Sequence, residues 1–332
     1  MNITILGSGT WGLALARVLC LNGHRVTVWS KFDEEAENLS RTRKSPNLPE
    51  MVIPDEIVIT SDPSAVLTGA DFVIVAVPSI FIRETIRSFI PYIHSSPVWI
   101  NASKGIEKGT SMILTDIIRE ELEKGGIPDA RITAISGPTH AEEVAMDLPT
   151  LIVAAGPEED ALRVQGLFEG TCIRPYTNPD LRGVQICGAL KNVEALAVGI
   201  AKGLGYGDNT CAAMITRGME EIRRLGLAMG CQERTFFGLA GIGDLIVTAT
   251  SSHSRNNRCG ILLGQGVPVQ EAVRRIGMVV EGLNALPAAV SLCRQYHMEM
   301  PIIEGVRRIV EDHADPAEIV RDLMGRSLKK EI

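Results

Sequence analysis

Apolar positions along this chain follow two different periods, and the change falls near residue 184. Before that point, strand-length apolar runs alternate with helical stretches. Residues 3–6 run into Gly7-Ser8-Gly9-Thr10-Trp11-Gly12, a helical pattern follows and stops at Asn22-Gly23, and residues 25–29 read as a second strand. Runs at 72–77, 98–100 and 132–135, with 151–155 and 173–176 beyond them, predict a sheet of about eight strands. Near-continuous apolar runs are what buried parallel strands look like, and ligands gather at the carboxyl ends of such sheets. The loops after the middle runs, Pro78-Ser79, residues 101–105 and residues 136–139, are therefore candidate site loops.

From residue 184 onward the period becomes helical and no convincing strand run appears. Helices are predicted over 184–201, 211–229, 269–276, 284–296, 301–311 and 316–324, the last with Asp315 as its cap and Pro316 in its first turn. The expectation is an α/β chain: a doubly wound, Rossmann-type N-terminal domain over 1–183, then an all-α domain over 184–332, with the site in the cleft between them.

Composition narrows the function. The 332 residues carry 33 Lys and Arg against 40 Asp and Glu, a net charge of −7, which argues against a nucleic-acid partner. An anionic ligand would need a local cluster of cations and N–H groups. Seven scattered cysteines without a C-x-x-C pair, and six histidines without ligand spacing, indicate neither a disulfide framework nor a metal. No apolar run is long enough to span a membrane, and no leader precedes the first strand, so a cytoplasmic protein is expected.

The G-x-G-x-x-G sits between a strand and a helix, which is the context a dinucleotide site requires. Gly7 permits the tight turn, Gly9 admits the pyrophosphate, and Gly12 lets helix pack on strand; Thr10 and Trp11 complete the loop. The second strand ends Trp29-Ser30-Lys31-Phe32, with no acid where NAD-selective sites carry one. Ser30 can donate to a 2′-phosphate and Lys31 can neutralise it, while Asp33 arrives too late unless the loop folds back. NADP or NAD is expected as cofactor, with NADPH accepted at least as well as NADH.

Lys191 lies in a helix apolar nearly all round, so it is expected to be buried and, by desolvation, to have its pKa lowered toward acid/base work. Pairing with Glu194, nearly one turn on, is the competing reading, and spacing alone does not separate them.

The segment Gly188-Ala189-Leu190-Lys191-Asn192-Val193, leading to Gly203-Leu204-Gly205-Tyr206-Gly207-Asp208-Asn209, resembles the signature of bacterial-type NAD(P)-dependent glycerol-3-phosphate dehydrogenases. Residues 135–139, 148–150, 239–245, Ser254-Arg255-Asn256 and 279–282 look like further family motifs in the family's order. The resemblance implies interconversion of sn-glycerol 3-phosphate and dihydroxyacetone phosphate by hydride transfer, supplying phospholipid synthesis, with Lys191 as general acid/base. It implies that Asp244 meets substrate hydroxyls or the lysine, and that Ser254, Arg255 and Asn256 hold the phosphate. Lys104 and Arg255 would touch both substrate and cofactor, and Gly137 and Thr139 would touch substrate. Lys31, Ala141, Val279 and Glu281 would meet the cofactor. Glu194 departs from the family, which more often has an aliphatic residue there. The partners expected are a small phosphorylated substrate and, left open, a second copy in a homodimer. Rival readings are a 3-hydroxyacid or 6-phosphogluconate type dehydrogenase, which the Ser254-Arg255-Asn256 motif disfavours, and a non-catalytic cofactor sensor, which would need neither Lys191 nor Asp244.

Overall fold

The computed structural model describes residues 1–328 and 330, and divides the chain into two compact units. The first comprises 1–105 and 112–185, the second 106–111 and 186–332.

The first unit holds ten strands: β1 (Asn2–Leu6), β2 (Arg25–Trp29), β3 (Lys44–Ser45), β4 (Leu48–Val52), β5 (Val58–Thr60), β6 (Phe72–Val75), β7 (Val98–Asn101), β8 (Arg131–Ser136), β9 (Thr150–Ala155) and β10 (Ile173–Asn178). Its helices are α1 (Thr10–Leu21), α2 (Asp33–Thr42), α3 (Pro63–Val66), α4 (Ile82–Phe89), α5 (Leu114–Lys124), α6 (Ala141–Ala145) and α7 (Glu158–Gly166). Eight strands form one sheet in the order β10-β9-β8-β7-β6-β1-β2-β5, and β3 and β4 make a separate antiparallel pair. The strand order reverses between β1 and β6, which places the glycine loop at the switch point where such sheets bind ligands.

The two-residue strand period sorts the core onto two faces. Ile3, Ile5, Phe72 and Ile74 pack with residues of α1, α2, α6 and α7, while Leu6, Val73 and Val75 pack with residues of α3, α4 and α5. Two features differ from the sequence expectation. Residues 58–60 supply the eighth strand, too short for a periodic signal, and β9 runs antiparallel to β8. The connection from β8 carries only the five-residue α6.

The second unit is built from α8 (Leu181–Gly203), whose first residues belong to the first unit, and from α9 (Asp208–Ala228), α10 (Glu233–Phe236), α11 (Asp244–Thr250), α12 (Arg255–Gly264), α13 (Val269–Ile276), α14 (Glu281–Gln295), α15 (Pro301–Glu311) and α16 (Pro316–Met324). A π-helical turn, Leu239–Gly243, precedes α11. By length and composition α8 could cross a membrane, but its apolar stretch is wholly buried, as expected of a core helix.

Its backbone touches that of α12. A Cβ on Gly199 would lie 2.2 Å from the Asn257 carbonyl oxygen, and one on Gly260 would lie 2.1 Å from that of Leu196. Only glycine permits this approach, which brings the start of α12 beside the middle of α8. Asp315 caps α16 as its sequence indicates, its Oδ1 accepting from the Ala317 N–H at 3.1 Å. Such a cap contributes about 1 kcal/mol.

Candidate active site

In the first unit the glycine loop is shaped for a dinucleotide. Gly7 has φ +123°, a conformation that side-chain-bearing residues rarely adopt, and a Cβ there would meet the Ala76 carbonyl oxygen at 2.7 Å. A Cβ on Gly12 would lie 2.1 Å from the Gly7 carbonyl oxygen, so that position holds the loop against α1. Gly9 faces open space, with nothing within 4 Å of where its Cβ would be. Gly9 caps α1 without a side chain, which leaves the N–H groups of the first turn, Thr10 and Trp11 among them, to a ligand. This open cradle at a helix N-terminus fits a pyrophosphate.

The end of β2 lies beside that loop, the Gly7 N–H donating to the Trp29 carbonyl at 2.9 Å. Lys31 ends there, exposed, its Nζ 2.9 Å from Glu84 Oε1 and 5.9 Å from the centre of the Phe81 ring. The acid missing from β2 arrives from α2: Glu35 Oε2 accepts from Ser30 Oγ at 2.5 Å and from Ser8 Oγ at 2.7 Å. Glu35 carries no strand-end signal in the sequence, because a helical first turn, not a strand end, aims this carboxylate. Farther along the same sheet edge, half-buried Lys104 follows β7 and donates to the Gly137 carbonyl at 3.0 Å. Thr139 donates to the same oxygen at 3.2 Å. Ala141 opens α6, buried in the core under α1.

In the second unit Lys191, 5% exposed, extends from α8 to α11. Its Nζ lies 2.7 Å from Asp244 Oδ1 and 2.5 Å from Thr248 Oγ1. Thr248 donates in turn to the Asp244 carbonyl at 2.7 Å. Asp244 is 1% exposed. Its place depends on the preceding turn, where a Cβ on Gly241 would lie 2.1 Å from the Phe236 carbonyl oxygen. Thr248 was not singled out in the sequence. Its signal is the spacing of four from Asp244, which stacks both on one helix face.

Glu194 does not pair with Lys191. It turns to α9, where a Cβ on Gly218 would lie 2.4 Å from its Oε2. Neither carboxyl oxygen has a hydrogen-bond partner among the described residues. Burial, and then the charge of Glu221, push the Glu194 carboxyl well above its ordinary range.

Ser254 caps α12, its Oγ accepting from the Asn257 N–H at 3.2 Å. Arg255 follows, half-buried, and no group among the described residues pairs with its guanidinium. Asn256 is buried and occupied: its Nδ2 donates to Asn192 Oδ1 at 2.9 Å, and its Oδ1 accepts from the Gly282 N–H at 2.9 Å. It thus ties α12 to α8 and α14. Val279 and Glu281, both half-buried, flank the start of α14.

Comparison with known proteins bears on both units. A family model described as NAD-dependent glycerol-3-phosphate dehydrogenase N-terminus matches residues 2–162, and its C-terminus counterpart matches 180–321. The chain is 52% identical to glycerol-3-phosphate dehydrogenase NAD(P)+ 2 of Lactobacillus delbrueckii subsp. bulgaricus, over 100% of this chain and 99% of that protein. It is 45% identical to the glycerol-3-phosphate dehydrogenase NAD(P)+ of Fusobacterium nucleatum, over 100% and 99%. The crystal structure of glycerol-3-phosphate dehydrogenase from Coxiella burnetii superposes with a TM-score of 0.91 at 35% identity, covering 98% of this chain and 99% of that one. With both halves of the family pattern matched in order, the chain belongs to the NAD(P)-dependent glycerol-3-phosphate dehydrogenase family.

Proposed function

We propose that this enzyme interconverts sn-glycerol 3-phosphate and dihydroxyacetone phosphate by hydride transfer with NAD(P), with Lys191 moving the proton. The observation that carries this reading is the buried lysine held by Asp244 and Thr248. When bound, the nicotinamide supplies or takes the hydride at C2 of the substrate. As the ketone is reduced, the Lys191 ammonium gives a proton to the developing alkoxide; in the other direction the amine takes the hydroxyl proton. Asp244 and Thr248 fix the position of Nζ, so that little reorganisation is needed at the moment of transfer.

The substrate phosphate is assigned to the start of α12, where the N-terminal N–H groups of the helix and the Arg255 guanidinium favour an anion. Ser254 and Asn256 take supporting places there. Lys104, Gly137 and Thr139 are assigned to the substrate from the first unit, Lys104 and Arg255 to both ligands, and Ala141, Val279 and Glu281 to the cofactor. A cytoplasmic setting and a role in supplying glycerol 3-phosphate for phospholipids accord with this reading.

The test is to follow NADH or NADPH oxidation with dihydroxyacetone phosphate, beside 3-keto acids and phosphate-free dihydroxyacetone. Turnover is expected with the phosphorylated ketone. A faster reaction with a keto acid, or none with any ketone, overturns the proposal.

A further inference from the structure

The carboxylate of Glu35 lies where the sequence shows no acid, bridging the glycine loop to the end of β2. One of its oxygens accepts from both Ser8, inside the G-x-G-x-x-G, and Ser30, at the strand end. The other oxygen has no partner among the described residues, and the side chain is exposed. The strand end beside a pyrophosphate loop is where an acid accepts hydrogen bonds from the adenosine ribose and repels a 2′-phosphate. Lys31, the nearby cation, is shared with Glu84 at 2.9 Å.

We propose that Glu35 is the residue that reads the 2′ position of the cofactor: it accepts from the ribose 2′-hydroxyl of NAD(H), and its charge opposes the 2′-phosphate of NADP(H). Lys31 acts in the opposite sense; Ser30, expected from the sequence to donate to a 2′-phosphate, is fully buried and gives its hydroxyl proton to Glu35 instead. The cofactor ratio of this enzyme is the outcome of that opposition, in which a carboxylate and an ammonium share one strand end and neither cofactor is shut out. The inference rests on the dinucleotide reading of the glycine loop.

Glu35→Gln tests it. Glutamine keeps the length and an acceptor oxygen for Ser8 and Ser30, but removes the charge. Dissociation constants for NADH and NADPH, measured by nicotinamide fluorescence without substrate, should change in opposite directions. The NADPH-to-NADH affinity ratio should rise about tenfold or more, the scale of a lost charge-assisted contact. The kcat/KM ratio with dihydroxyacetone phosphate should follow. Glu34→Gln, in the same helical turn, should leave the ratio unchanged.

An unchanged ratio in Glu35→Gln overturns the assignment, as does equal weakening of both cofactors, which marks a loop-shaping role. An equal shift in Glu34→Gln does so too, because it reveals only the general field of the helix start. Absence of turnover with dihydroxyacetone phosphate, with the binding ratios shifted as expected, would sink the reaction assignment and leave the ribose assignment standing.

Discussion

Replacing Glu194 should make this enzyme more stable, and more so at higher pH. The side chain is 1% exposed, and its carboxyl oxygens have no partner among the described residues. Glu221, on α9, faces it and accepts from the Ile302 N–H at 3.0 Å, at the start of α15. Burial drives Glu221 up to about 7, against the lowering effect of the Ile302 and Ile303 N–H groups and of Arg224 and Arg217. Cys293, on α14, is pushed up to about 12, first by burial and then by the Glu221 charge. The folded state therefore holds protons here that the unfolded chain releases above the ordinary glutamate range.

Such a group stabilises the fold fully below its unfolded value, and that stability is lost as pH rises through the folded value. For Glu221 the window runs from about 4.5 to about 7. At about 1.4 kcal/mol per pH unit, its loss is on the order of 3 kcal/mol by the top of the window. Glu194 shifts in the same direction and adds to it. Glu194→Met removes a buried carboxyl at nearly constant volume, which should return about 1–3 kcal/mol. That corresponds to roughly 2–12 °C in Tm for a unit of this size. Differential scanning calorimetry at pH 5.5 and 8.5 measures it, with the larger gain expected at pH 8.5. Turnover should stay near wild type, because Glu194 does not touch Lys191. A variant less stable at both pH values, or one that gains equally at both, would refute the reasoning.

Lys191→Ala should lower kcat by about two to four powers of ten with cofactor affinity nearly unchanged. It also removes the ammonium 2.7 Å from the buried Asp244 carboxylate, so Lys191→Met with Asp244→Asn should recover melting temperature without restoring activity, and near wild-type turnover in either variant would end the assignment. Arg255→Ala should weaken dihydroxyacetone phosphate about tenfold or more, the worth of a charge-assisted contact, and phosphate-free dihydroxyacetone much less; equal losses in KM for both ketones would show that Arg255 does not read the phosphate. Lys31→Glu should weaken NADPH and spare NADH in direct titrations, and an equal effect on both cofactors would contradict the role given to that strand end.

Much of this protein is legible before folding is considered, because some constraints act within one or two turns of chain. The period of two at 25–29 and the helical period at 301–311 set those elements whatever surrounds them. The glycine fingerprint is equally local, since a positive φ at Gly7 and contact of Gly12 with Gly7 are made inside six residues. Burial of Lys191 could be read from a helix apolar nearly all round.

What that lysine pairs with could not be read from spacing; only the family resemblance offered Asp244. Lys191 and Glu194 are three residues apart, but the hole above Glu194 is made by Gly218 and the partner of Lys191 comes from Asp244, more than fifty positions on. The ties of Asn256 to Asn192 and Gly282 are likewise tertiary, made where Gly199 and Gly260 bring α8 and α12 together and Gly282 lets α14 approach the Asn192 carbonyl. The antiparallel direction of β9 appears only in its pairing with β8, a segment outside its own run. Glu35 becomes a neighbour of Ser8 only because β1 and β2 lie side by side and α2 turns back over their ends. Periodicity and turns are properties of neighbours along the chain, whereas the partner of a charge belongs to whichever distant segment the packing brings within hydrogen-bond reach.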